Sequence, residues 1–197
     1  MHEQRRSYEI QGILSAGYVY LVVMGILSET LYFNQIGVDI LEYSSILDVL
    51  ISPISQLTSS LMNLVAFLVT VLLAFKLPKF LIKHKDKNWY KKSFKWDTDL
   101  SDKERETSLL RTSFSMLALG LFGFYIGTGI GGGFRLAQAI QEDTLVYSDR
   151  ITFTNGDVAA VQIVGINSAY VFYMADGNDS VQITPIGGVV QAIEDNE

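Results

Sequence analysis

The sequence predicts a membrane α-helical protein with three transmembrane helices in residues 1–135, followed by a small all-β domain over residues 144–193. Two observations carry this expectation. Three long stretches contain no Asp, Glu, Lys or Arg, and the last quarter of the chain changes to short alternating runs separated by turn residues. The composition agrees. Of 197 residues 49% are apolar and 18% charged, and the mean hydropathy is +0.26, which is too apolar for an ordinary soluble domain. With no cysteine, disulfides, zinc-thiolate sites, iron-sulfur clusters and a Cys nucleophile are excluded. Two histidines, His2 and His84, leave little for a metal cage, and no cofactor is expected.

The charge-free stretches are Ile10 to Ser28 (19 residues), Val49 to Phe75 (27 residues) and Thr112 to Phe134 (23 residues). A helix rises about 1.5 Å per residue, so roughly 20 apolar residues cross a hydrocarbon core about 30 Å thick. The first span is read as about 10–33, because Glu29 reaches the headgroups while Leu31, Tyr32 and Phe33 remain apolar or interfacial. Arg5 and Arg6 precede it and no small-x-small cleavage site follows, so it reads as a retained signal anchor. In the second stretch, Pro53 and the polar run Ser52 to Ser60 place Leu47 to Pro53 along the outer interface and the crossing at about 55–77. The third span is 112–134.

Charge placement gives the orientation. Residues 1–9 carry two basic and two acidic groups, 29–48 none and four, 76–111 eleven and six, and 135–197 two and nine. Short loops rich in Lys and Arg stay in the cytoplasm. The loop 78–111 is therefore cytoplasmic, the amino terminus shares its side, and the β domain is extracytoplasmic.

The cytoplasmic loop interleaves Lys83, Lys85, Lys87, Lys91 and Lys92 with Trp89 and Trp96. Lysines beside interfacial rings suit an anionic leaflet, each ammonium contributing about 1 kcal/mol near the surface, and this lipid reading is preferred over nucleic acid. Ser101 and Glu104 form a capping box that starts a solvated helix near Asp102 and leads into the third span.

Two seams run along the later spans. Ser52, Gln56, Ser59, Asn63, Ala66 and Thr70 recur at steps of three and four, as do Gly120, Gly123, Gly127 and Gly131. Small residues allow helix backbones to approach and polar ones add interhelical hydrogen bonds, so Gln56, Ser59, Asn63 and the four glycines are candidates for helix packing, or alternatively for lining a pore. Gly123/Gly127, Gly127/Gly131 and Gly129/Gly133 are each Gly-x-x-x-Gly pairs. The cluster Gly127–Gly133 predicts fraying, a bend or a hinge. The absence of a charge inside the spans, Glu29 aside, argues against proton-coupled transport.

In the carboxyl-terminal region, Thr144–Tyr147, Arg150–Thr154, Val158–Ile166, Ala169–Met174, Ser180–Thr184 and Gly188–Ile193 read as strands. Asn155-Gly156 is a strong hairpin signal. Five or six such strands suggest a small SH3-like or Sm-like barrel with Ile151, Phe153, Val161, Ile163, Val171, Tyr173, Val181 and Ile183 inside. So small a core calls for support from the helices or from other copies.

No phosphate loop, dinucleotide fingerprint, Gly-x-Ser-x-Gly elbow or His-Glu-x-x-His motif occurs. Over about residues 113–190, the face of Gly120, Gly123, Gly127 and Gly131 followed by the strand-turn run Val158–Pro185 resembles the small-conductance mechanosensitive channel family. The sequence has no counterpart of that family's further carboxyl-terminal cytoplasmic domain, and its charges put the β module on the opposite side. Tyr32–Val38 and Asn167–Tyr173 are similar to segments of uncharacterised bacterial multi-pass membrane proteins. The expectation is a non-enzymatic, multi-pass protein of a bacterial inner membrane. It would be a homo-oligomer or a subunit of a larger membrane complex, with the β module displayed outside for interaction. The alternative is a pore or channel subunit lined by the third span.

Overall fold

A computed structural model describes residues 2–85, 87–88 and 101–194. Its helices are α1 (His2–Asn34), α2 (Ile40–Tyr43), α3 (Ile46–Thr58), α4 (Leu61–Lys83) and α5 (Asp102–Gln141); its strands are β1 (Asp149–Phe153), β2 (Val158–Ile166), β3 (Tyr170–Ala175), β4 (Gln182–Pro185) and β5 (Val190–Glu194). Three helical segments are long and apolar enough to cross a membrane: Leu14–Asn34, Leu61–Lys83 and Asp102–Gln141. The chain divides into two compact units, Met1–Ile54 with Tyr125–Glu197, and Ser55–Phe124.

In the first unit, α1 stops because Gly37 adopts φ +76°. Val38 N–H then reaches the Phe33 carbonyl (3.0 Å) and Gly37 N–H the Asn34 carbonyl (3.3 Å). This is a Schellman ending, and the apolar contact it favours is made by Phe33 and Val38, both buried in one cluster. The end of α5 has the same form, with Asp143 at φ 51° and Thr144 N–H on the Ala139 carbonyl at 3.0 Å. Ser45 and Asp48 cap α3 reciprocally: Asp48 N–H donates to Ser45 Oγ (3.2 Å) and Ser45 N–H to Asp48 Oδ2 (2.9 Å).

The strands form one antiparallel sheet in the order β4-β3-β2-β1-β5. It is open, so the expected closed barrel is corrected to a five-stranded sheet whose edges are β4 and β5. Residues 144–148, expected to begin the strands, belong to no element. One face gathers Ile151, Val161, Val171 and Tyr173, with Phe153 and Ile163 against them. Val181 and Ile183 do not join this face. Ile183 is paired with Phe172, and directly paired residues share a face, so both pack in the Phe172 cluster on the other side.

In the second unit, the chain is interrupted at Ser59 and Ser60, not at Pro53, which lies buried inside α3. Three hydroxyls compete for the backbone there. Thr58 Oγ1 donates to the Ser55 carbonyl (3.3 Å), Ser59 Oγ to the Gln56 carbonyl (2.9 Å), and Ser60 Oγ accepts from Met62 N–H (3.3 Å). The long apolar helix that follows is therefore 61–83, overlapping the expected crossing of 55–77 along most of its length. At its start α5 carries the expected capping box: Glu104 Oε2 accepts from Ser101 N–H at 2.8 Å, and Ser101 Oγ from Glu104 N–H at 3.4 Å. The helix then runs uninterrupted through Gly127–Gly133, where the glycine content had suggested fraying.

Candidate functional site

The described residues bring two places into focus: the seat of the sheet on the end of α1, and the glycine-bearing surface of α5.

The seat is built from aromatic rings and a few directed hydrogen bonds. Phe33 and Phe172 pack at a tilt of 58° with ring centroids 5.2 Å apart, and Tyr43 meets Tyr170 edge-on at 5.4 Å. Tyr32 OH donates to the Val164 carbonyl at 3.3 Å. The neighbouring Gly165 leaves room for the ring of Phe33: a Cβ there would fall 2.7 Å from Phe33 Cζ. This lies at the bulge that shifts the β2–β3 register between Ile163 and Gly165, a position where a backbone can approach closely.

Beside it the β2–β3 turn is tied to the segment before α3. Asn167 Nδ2 donates to the Tyr43 carbonyl (3.0 Å), Ser168 N–H to Asp48 Oδ1 (3.0 Å) and Ser168 Oγ to Asp48 Oδ2 (2.9 Å). Burial pushes the Asp48 carboxyl up, but hydrogen bonds from the Ser45 side chain and backbone and from Ser168 outweigh it and hold the group below the usual carboxylate range. Sequence reading missed this carboxylate. The Ser45-x-x-Asp48 spacing before an apolar helix was the signal that could have found its capping half; the Ser168 half is a long-range contact.

The α1–α5 contact uses a different pair of glycines from the expected seam. A Cβ on Gly129 would lie 2.5 Å from the Ser28 carbonyl oxygen, and one on Gly133 2.6 Å from that of Tyr32. Both contacts advance by four residues along both helices, so α1 and this part of α5 run parallel. Polar groups line the same contact: Ser28 and Thr128 hydroxyls are 3.3 Å apart and Gln35 Nε2 donates to the Ile130 carbonyl (3.0 Å); separately, Tyr125 OH ties α5 to α3 by donating to the Pro53 carbonyl (2.7 Å).

Gly120, Gly123, Gly127 and Gly131 have nothing within 4 Å of an added Cβ. In the second unit Gly120 lines a cavity of about 250 Å³ between α4 and α5, together with Asn63, Ala66 and Thr70. That cavity brings Asn63 of one expected seam to Gly120 of the other. Gln56 is half-buried on α3, with Oε1 lacking a hydrogen-bond partner among the described residues, and Ser59 sits in the helix interruption. Of the expected lipid-contact residues, Lys83 is exposed in the last turn of α4, Lys87 is exposed, and Lys85 is held by both carboxylate oxygens of Asp102 at 2.7 and 2.5 Å. Trp89, Lys91, Lys92 and Trp96 lie outside the described residues. Among the described residues no group of three or more His, Asp or Glu is placed to hold a metal ion.

The arrangement combines three helices long and apolar enough to cross a membrane with a small antiparallel five-stranded sheet. Comparisons with protein-family models, with curated proteins and with solved structures return no match.

Proposed function

We propose that this is a non-enzymatic integral membrane protein that self-associates, or joins a larger membrane complex, and holds an extracytoplasmic β module as its interaction surface. The observation that carries the reading is the direct mounting of the sheet on the end of an apolar helix, with Phe33 under Gly165 and Phe172. A module seated without a spacer has a set orientation to the bilayer, as a docking platform needs.

Topology follows from two supports. Parallel α1 and α5 segments require the chain between them to return across the membrane an odd number of times, which α4 supplies once. The Lys-rich segment 76–111 then favours a cytoplasmic loop and amino terminus, in a bacterial inner membrane. Assembly is supported by the glycine face of α5, where, among the described residues, no atom lies within 4 Å of a Cβ added at Gly120, Gly123, Gly127 or Gly131, and which is suited to close helix approach. The same open face also supports the second reading, a homo-oligomeric pore lined by α5.

Cross-linking in native membranes, with wild type compared to Gly123→Leu and Gly127→Leu, tests the proposal. It expects cross-linked oligomers or complexes for wild type and their loss in both variants, with no conductance from wild type in planar bilayers. A wild type that never cross-links would contradict assembly. Conductance altered by Gly123→Leu in intact oligomers would establish the pore.

A further inference from the structure

Resting on the reading that α1 crosses a bilayer, we infer that the β module is not held clear of the membrane but dips one end into it. The end of β2 at Ile166, with Ile46 and Leu47 of α3, would lie in the headgroup and upper acyl region of the outer leaflet.

Depth is set by α1. Val164 and Gly165 touch Tyr32 and Phe33, which are within the last three residues of the apolar segment Leu14–Asn34. A tyrosine ring at the end of a crossing helix stands at the membrane–water boundary, so the Val164 backbone that Tyr32 OH touches stands there as well. Ile166 is the next residue, and its side chain is 53% exposed.

The patch continues across the latch. Ser45 and Ser168 hydroxyls are 3.4 Å apart and Ser168 N–H is bonded to Asp48, which brings Ile46 (80% exposed) and Leu47 (67% exposed) beside the β2–β3 turn. From Leu47 the exposed row runs on through Ile51 and Ile54 along one side of α3, so the surface is continuous with an apolar helix. The carboxylate in its midst, Asp48, accepts four hydrogen bonds from Ser45 and Ser168, as a charge leaving bulk water needs. Residues 29–48 hold no Lys or Arg, so the occupant is the apolar part of the lipid and not its anionic headgroup. Val158 supplies the contrast. It is equally apolar and 61% exposed, yet it begins the same strand, roughly 26 Å away at about 3.3 Å per residue.

Because the chain has no cysteine, single-cysteine variants Ile166→Cys, Leu47→Cys, Val158→Cys and Leu68→Cys can each carry one environment-sensitive fluorophore. The full chain is reconstituted in phosphatidylcholine vesicles with and without acyl-brominated phosphatidylcholine. Leu68, exposed on α4, reports on the crossing itself. The inference expects blue-shifted emission and bromine quenching at Ile166, Leu47 and Leu68 and neither at Val158, unchanged when phosphatidylglycerol is added. Quenching at Leu68 with Ile166 as unquenched as Val158 would overturn this inference and leave the membrane reading standing. No quenching at Leu68 would overturn both. Equal quenching at Val158 and Ile166 would overturn docking by one end.

Discussion

The two glycine pairs of α5 make opposite predictions for the same substitution. At Gly129 an added Cβ meets the Ser28 carbonyl oxygen at 2.5 Å and Ser28 Cα at 3.0 Å. Comfortable packing needs about 3.5–4.0 Å between carbons, so α1 and α5 must part by about 1 Å, backbone against backbone. Overpacking of this kind costs about 1–3 kcal/mol. Alanine regains up to about 1 kcal/mol of helix propensity, leaving a net loss of up to about 2 kcal/mol, as much as roughly a 30-fold change in the folding equilibrium. Gly123→Ala meets no atom within 4 Å and keeps only the propensity gain. The assay is reversible unfolding in mixed micelles of dodecyl maltoside and SDS, followed by the near-ultraviolet dichroism of the tyrosines. Gly129→Ala and Gly133→Ala should unfold at lower SDS fraction than wild type, while Gly123→Ala and Gly131→Ala should match or exceed it. Equal destabilisation by all four would refute the assignment of the Gly129/Gly133 pair to the α1 contact.

Three further outcomes follow from the seat and the loop. Phe33→Ala empties the ring site under Gly165 and Phe172 at a cost of about 3–5 kcal/mol, and hydrogen exchange should show β3 amides losing protection; unchanged exchange would contradict the seat. Asp48 is held below its ordinary 3.8 in the folded chain, so its contribution is complete above that pH and is lost as pH falls through the lowered folded value. The Tm of wild type should exceed that of Asp48→Asn at neutral pH and converge with it in strong acid; a constant difference would contradict the latch. Lys85→Ala removes an exposed ion pair to Asp102, so its effect on Tm should be small and shrink with added salt, and a large, salt-independent loss would contradict this reading.

The helices were legible because their signals are local. A charge-free run announces a crossing wherever it lies, and Ser101-x-x-Glu104 marks the start of α5 to the residue. Asn155-Gly156 and Asp176-Gly177 announce their turns because both glycines take φ above +75°, a region other residues avoid. What escaped depends on partners far away in sequence. Alternation shows that Val181 and Ile183 share a face but not which one, and only pairing of Ile183 with Phe172 decides it. Closure of the sheet is a matter of distant edges and cannot be read from strand spacing. Proline suggested a break at Pro53, whereas the hydroxyls of Thr58, Ser59 and Ser60 make it. Among the glycines, two faces of one helix met the same small-residue rule, and Ser28 and Tyr32 of α1 select the Gly129/Gly133 pair. For the open face, Gly120 to Gly131, no partner among the described residues makes that selection.

In the proposed topology an odd number of crossings leaves the sheet outside and the lysine-rich loop inside. Its most direct measurement labels single cysteines, Thr154→Cys in the β1–β2 turn and Lys87→Cys beyond α4, in intact cells with a membrane-impermeant maleimide, and again after permeabilisation. The account predicts that Thr154→Cys reacts in intact cells and Lys87→Cys only after permeabilisation. The reverse pattern would invert the topology, and labelling of both in intact cells would contradict the crossing of α5, which lies between them.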